Sequence, residues 1–238
     1  MKKILLLLLL AAVLPIQARG LQAEIDSAFI YYFKTGSMEE INHIIRSLNL
    51  ENKSSNNRYL NYWTAYAKYK KSLCAQSNPA EEFQKTARIE LSEALHCLNK
   101  IKNKESEDYA LLSILKNYSV AFAASIKIPF ISGEAKKYAQ KAIDMDPQNL
   151  RAYLALGIRD YYTPVVYGGK NRFEELFLKA ISLQDNYSEN PNDPSWGKND
   201  AYYYLLDYYC RNDMEKARLL FAEALKLFPY DNRILQFK

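Results

Sequence analysis

Two histidines, three cysteines and one paired glycine are the first places to look for chemistry in this 238-residue chain. His43 and His96 are far apart, and Cys74, Cys97 and Cys210 form no CxxC. HExxH, GxSxG and any glycine-rich dinucleotide fingerprint are absent. His96 and Cys97 are neighbours, but adjacent residues on a helix point about 100° apart and do not face each other. No spacing of His, Cys, Asp or Glu suggests a metal site. The expectation is a protein without catalytic residues, cofactor or metal. The paired glycine lies in "YYTPVVYGGK", residues 161–170. A phosphate-cradling loop needs GxxxxGK[ST] after a strand. Here a helix precedes, and Asn171 stands where Ser or Thr would follow the lysine. Gly168 is therefore read as a left-handed cap on the end of the first of two helices, with "TPVV" an insertion in the turn. Val165, Val166 and Tyr167 are expected to pack over the loop that bears Trp196; the alternative is that they form one wall of a ligand surface beside Tyr161 and Tyr162.

Tyrosine is the unusual component, with twenty residues. It is also a residue of interfaces, because it offers area and a hydroxyl at low entropy cost. What must position these rings are helices. Seven glycines and eight prolines are too few breakers for an all-β chain of this length, and 49% hydrophobic residues suit one folded unit. Apolar residues recur at i, i+4, i+7 in five places. They are Ile41/Ile45/Leu48, Ala87/Leu91/Ala94, Ala135/Ala139/Ala142, Phe173/Phe177/Ala180 and Ala217/Phe221/Ala224. That spacing puts each triplet on one helix face, and small alanines let a neighbouring helix come close. Pro147 and Pro229 each follow a triplet by five residues. A further helical pattern precedes each triplet. Trp63/Tyr66/Ala67 and Tyr153/Leu156/Gly157 share one spacing, Tyr204 and Tyr208 precede Ala217, and Ile25/Ala28/Phe29/Tyr32 precede Ile41. Residues 185–200, "DNYSENPNDPSWGKND", read as a loop between the last two pairs.

These patterns resemble the tetratricopeptide repeat (TPR), a helix–turn–helix unit of about 34 residues with the signature W-x2-L-G-x2-Y, A-x3-F, P. The resemblance covers residues 22–229 as five pairs and implies an all-α, right-handed α-solenoid. Extra residues around "AQSNPAEEF" and a long first helix in the third pair depart from strict regularity. In such arrays the first helices line a concave groove that holds a peptide. Carried over, the groove candidates are Arg151, Leu154, Ile158, Tyr161 and Tyr162 from one helix and Tyr202, Leu206 and Tyr209 from the next. The resemblance implies a non-catalytic scaffold binding a protein or peptide. The alternative resembles the exported TPR proteins that accompany TRAP-type transporters, some of which enclose a small ligand.

The first residues, "MKKILLLLLLAAVLPIQA", join two lysines to an apolar run too short to span a bilayer. They read as a signal peptide over residues 1–18, cleaved near 18 or 23, ahead of a single domain over 22–238. The expected destination is the periplasm or exterior of a bacterium, with no membrane span after cleavage. No cysteine follows the apolar run to accept a lipid. Without the two leader lysines, 30 basic residues face 27 acidic ones, which makes no case for nucleic acid or an anionic membrane. The cysteines are open to one pairing with one thiol left over, or to none.

Overall fold

The computed structural model describes residues 20–55, 57–185, 190 and 192–238. The leader lies outside them. Eleven α-helices and no strand occur among the described residues. The first pair is α1 (Leu21–Thr35) and α2 (Glu39–Ser55), and the second α3 (Arg58–Gln76) and α4 (Glu81–Lys100). Then come α5 (Ser106–Ser119) with α6 (Ile128–Met145), and α7 (Leu150–Tyr162) with α8 (Phe173–Ser182). The fifth pair is α9 (Lys198–Asn212) and α10 (Met214–Leu227), followed by the short α11 (Asn232–Leu235). The odd-numbered helices from α1 to α9 pack on one another as an inner row. Each even-numbered helix packs between its own inner partner and the inner helix of the next pair. This is an α-solenoid.

The triplets supply its core. All three alanines of α6, Ala135, Ala139 and Ala142, have no exposed surface, and Ile41, Leu48, Leu91 and Phe177 are buried. The close approach that alanine permits has a visible consequence. Serines of the inner helices reach the backbone of the outer ones: Ser72 Oγ donates to Ala87 O at 2.7 Å, Ser113 Oγ to Ala135 O at 2.8 Å and Ser106 Oγ to Ala142 O at 2.8 Å. A larger side chain at these triplet positions would push the serine hydroxyls out of range. In the fourth pair, a Cβ on Gly157 would lie 2.4 Å from the Phe177 ring, so only glycine lets α7 and α8 meet.

Helix ends follow their chemistry. Gly36 caps α1 at φ 74°, in the left-handed region glycine adopts cheaply. Asn57, Asn149 and Asp213 accept backbone N–H bonds at the starts of α3, α7 and α10. Glu39 with Glu40, and Glu174 with Glu175, occupy first turns, where carboxylates complement the helix dipole.

The extra residues of the second pair lengthen both helices, to 19 and 20 residues. Two expectations change in detail. The long first helix of the third pair breaks at Ser119 into two 3-10 turns, Val120–Phe122 and Ser125–Lys127, before Pro129 opens α6. Gly168 is left-handed, but it closes a 3-10 turn (Val165–Tyr167) instead of capping α7, which ends at Tyr162. Asp160, from the last turn of α7, accepts from Arg172 N at 2.7 Å and Phe173 N at 2.8 Å, and so caps α8. Gly169 is the tighter position: a Cβ there would sit 2.1 Å from Thr163 O.

The triplet register has a direct test. Ala224 is fully buried in α10, so Ala224→Asp places an unpaired carboxylate between close helices. Thermal unfolding is expected to show a loss of roughly 3 kcal/mol or more; an unchanged melting temperature would refute the register.

Candidate functional site: the inner aromatic face

The inner helices carry a row of aromatic side chains. Along α3, Tyr59, Tyr62, Trp63, Tyr66 and Tyr69 recur at three- and four-residue steps, which places them on one side of the helix. The chain covers part of this row itself. Asn190 Nδ2 donates to the Tyr59 hydroxyl at 2.6 Å, and that hydroxyl donates to Asp193 Oδ1 at 3.0 Å. Trp63 Nε1 donates to Asn192 O at 3.0 Å, and Trp196 Nε1 donates to the Tyr62 hydroxyl at 3.1 Å. The Trp196 ring stacks on Tyr66, with centroids 5.0 Å apart. Ser195 N donates to Gln22 Oε1 of α1 at 2.8 Å.

Arg151 fastens the far end of this segment. Its guanidinium forms a two-pronged pair with Glu107, Nε and Nη2 each 2.6 Å from a carboxylate oxygen, and Nη1 donates to Trp196 O at 2.7 Å. Burial opposes the charge on Arg151, but the facing Glu107 carboxylate more than offsets it and raises the arginine's pKa. The planar fork suits arginine, and lysine could not make the same set of bonds.

Beyond this covered stretch, the inner face is aromatic and partly open. Tyr69 meets Tyr118 of α5 edge to face at 5.6 Å, and Tyr118 meets Phe122 at 5.6 Å. Tyr162 meets Tyr204 of α9 at 6.0 Å, Tyr203 lies against Tyr204 at 5.4 Å and Phe237 lies 5.7 Å from Tyr203. Tyr69, Tyr118, Tyr203 and Tyr204 are half-buried, and Tyr162 is exposed. Burial pushes the phenols of Tyr69 and Tyr204 well above the usual value near 10 and that of Tyr118 up to about 12.

Of the eight groove candidates, the structure leaves only Tyr162 exposed, with Ile158 and Tyr161 half-buried. Arg151 and Leu154 lie under the 196–197 segment, with Leu154 Cδ2 and Arg151 Cγ a few ångströms from where a Cβ on Gly197 would be. Tyr202, Leu206 and Tyr209 are buried, and the two tyrosines reach the outer row. The Tyr202 hydroxyl donates to Glu223 of α10 at 2.5 Å, and that of Tyr209 to Glu174 of α8 at 2.6 Å. Tyr161 donates to Asp207. Tyr69, Tyr118, Tyr203 and Tyr204 are the accessible residues that the sequence reading missed. The step from Tyr66 to Tyr69 held the signal: a three-residue advance keeps the same side of α3.

The remaining chemistry is quiet. Cys74 and Cys97 are buried and all three cysteines are free; burial pushes the Cys74 thiol up to about 12, which leaves little thiolate to react. His43 and His96 are exposed and lie on different pairs. No cluster of three or more His, Cys, Asp or Glu fit for a metal occurs among the described residues. Val165, Val166 and Tyr167 are 67%, 82% and 78% exposed, so the expected packing over the Trp196 loop does not occur.

With this geometry, the chain is similar to a thermophilic TPR protein of Thermus thermophilus, with a TM-score of 0.61 and 14% identity over 90% of this chain and 96% of that one. It is also similar to the HusA haemophore from Porphyromonas gingivalis, with a TM-score of 0.56 and 18% identity over 83% of this chain and 96% of that one. No family model matches, and no curated protein does. The fold is the TPR-like helical repeat.

The buried phenols set an alkaline limit. Raised folded-state values mean that their contribution to stability is complete below pH ~10, where unfolded tyrosine ionises, and is lost as the pH climbs from there through about 12. A phenolate absorbance titration is expected to show a delayed group of tyrosines ionising together with unfolding. Ionisation of all twenty near pH 10 with the helices intact would contradict the burial.

Proposed function

We propose that this chain is an exported, non-catalytic binding protein whose inner aromatic face takes up an extended segment of a partner protein. The observation that carries the reading is the docked segment of Asn190 and residues 192–196. Trp63 bonds its backbone, Tyr59 bonds its polar side chains, and Tyr66 stacks on its tryptophan. The same residue types continue along Tyr69, Tyr118, Tyr162, Tyr203 and Tyr204, where described chain leaves them accessible. Rigid rings bearing a hydroxyl suit adaptable peptide contact. Pull-down from the exported fraction of the native host, with Tyr69→Ala and Tyr162→Ala as controls, tests it. At least a tenfold loss of partner affinity is expected from each, with little change in melting temperature for the exposed Tyr162. Undiminished binding by both variants would refute this face as the site.

A second reading, a carrier of a flat apolar molecule, is favoured by the facing rings of Tyr69, Tyr118, Tyr162 and Tyr204 and by the likeness to a haemophore. Titration with ferric haem separates the two. A saturable one-to-one shift of the haem absorbance that Tyr69→Ala removes would establish the carrier in place of the peptide scaffold.

Export rests on the leader pattern. Cleavage after Ala18 keeps Leu21 and Gln22, which begin α1, and Gln22 holds Ser195; cleavage after Ala23 would discard both. N-terminal sequencing of material from the native host is expected to read from Arg19. A start at Met1 would refute export, and one at Glu24 the role of Gln22.

A further inference from the structure

The edge of the solenoid where inner helices turn into outer ones carries an apolar cluster that the inner-face reading leaves unused. Two turns on this edge are longer than the repeat requires. One runs from Val120 to Lys127 and leads into α6; the other runs from Thr163 to Arg172 and leads into α8. The helices are antiparallel, so the start of α6 lies beside the end of α7, and Arg159 Nε of α7 donates to Ser132 O of α6 at 3.2 Å. Both turns therefore project from the same side. They present Ile126 on one, joined by Phe130 from the first turn of α6, and Val165, Val166 and Tyr167 on the other, between 67% and 82% exposed.

Two features identify what would cover these tips. First, they protrude. Aliphatic side chains on 3-10 turns, exposed by two thirds or more, have no concave wall around them of the kind that a docked peptide needs. Protruding apolar tips with a tyrosine suit insertion into the headgroup and upper acyl region of a bilayer. Second, the tips themselves carry unpaired cations. Residues 120–133 and 162–172 contain Lys127, Lys170 and Arg172 and no acid. The acids that follow them are paired, Glu134 with Lys116, Glu174 with Lys216 and Glu175 with Arg172, whereas Lys127 and Lys170 make no ion pair among the described residues.

We propose that this edge docks on an anionic lipid surface, with the Val165–Tyr167 and Ile126–Phe130 tips inserted shallowly and Lys127 and Lys170 at the headgroups. The docking is peripheral: no helix among the described residues is long and apolar enough to cross a membrane. It also leaves the inner aromatic face open, so it stands whether that face binds a peptide or a flat ligand.

Co-sedimentation of the mature protein with vesicles of phosphatidylcholine containing about 30% phosphatidylglycerol tests it. Wild type is expected to partition to the vesicles, and several-fold less to phosphatidylcholine alone or at high salt. Val165→Ser/Val166→Ser is expected to weaken partitioning at least tenfold at an unchanged melting temperature, because both side chains are already in water. Ile126→Ser/Phe130→Ser, on the other tip, is expected to do the same. Failure of wild type to bind the anionic vesicles, equal binding to neutral ones, or undiminished binding by both folded variants would each overturn the proposal.

Discussion

The pair between Arg151 and Glu107 is the constraint on which the inner face depends. It joins α7 to α5, and the same guanidinium holds the Trp196 carbonyl. An isolated charge this deeply buried would be untenable, and the fork is tolerated because each of its prongs meets a partner. Removing the carboxylate would cost about 3–5 kcal/mol, mostly as the penalty of an unpaired buried cation. The loop that precedes α9 therefore lies where it does because an arginine needed acceptors and a backbone carbonyl supplied one. Tyr59, Tyr62, Trp63 and Tyr66 then finish the attachment with donors and ring faces.

Tyrosine serves this architecture twice. Toward the outer row, its ring fills space while its hydroxyl ends on a carboxylate, as in Tyr202–Glu223 and Tyr209–Glu174. Toward the inner side, the same ring forms a wall and the hydroxyl remains near solvent or the docked segment. A phenylalanine would serve the packing but remove the hydroxyl donor from each carboxylate, leaving Glu174 with Lys216 alone. The two uses explain why a chain with so few other unusual features holds so many of these residues.

The helical repeat was legible in the sequence because its signals are local. The i, i+4, i+7 triplets became the seams of the outer helices, and Gly36, five residues before Ile41, became the cap of α1. The site was less legible, for a reason visible in Arg151 and Leu154. Both belong to an inner helix, yet both are roofed by residues more than forty positions later in the chain. Periodicity tells which residues share a helix face; it does not tell whether a distant loop covers that face. Tyr202 and Tyr209 show the other difficulty. An aromatic stripe wide enough to surround much of α9 offers both faces the same residue types, so composition alone could not separate wall from core. The Val-Val-Tyr insertion was expected to find cover, since apolar residues ordinarily do, and it stands in solvent instead.

The contact between Gln22 and Ser195 has a consequence for how the molecule comes apart. Repeat arrays are held by nearest-neighbour contacts, so they fray from an end and their stability is close to a sum over units. Here the first helix is bonded to a segment just before the ninth, and the third helix to the same segment. The chain is therefore clasped across most of its length. The first pair is held back from peeling away while the clasp holds, and the clasp cannot form until the intervening helices are in place. A spring of separate coils becomes a closed band: its unfolding is more cooperative than its repeats alone would give, and its last folding step is a long-range closure that waits on all the local ones.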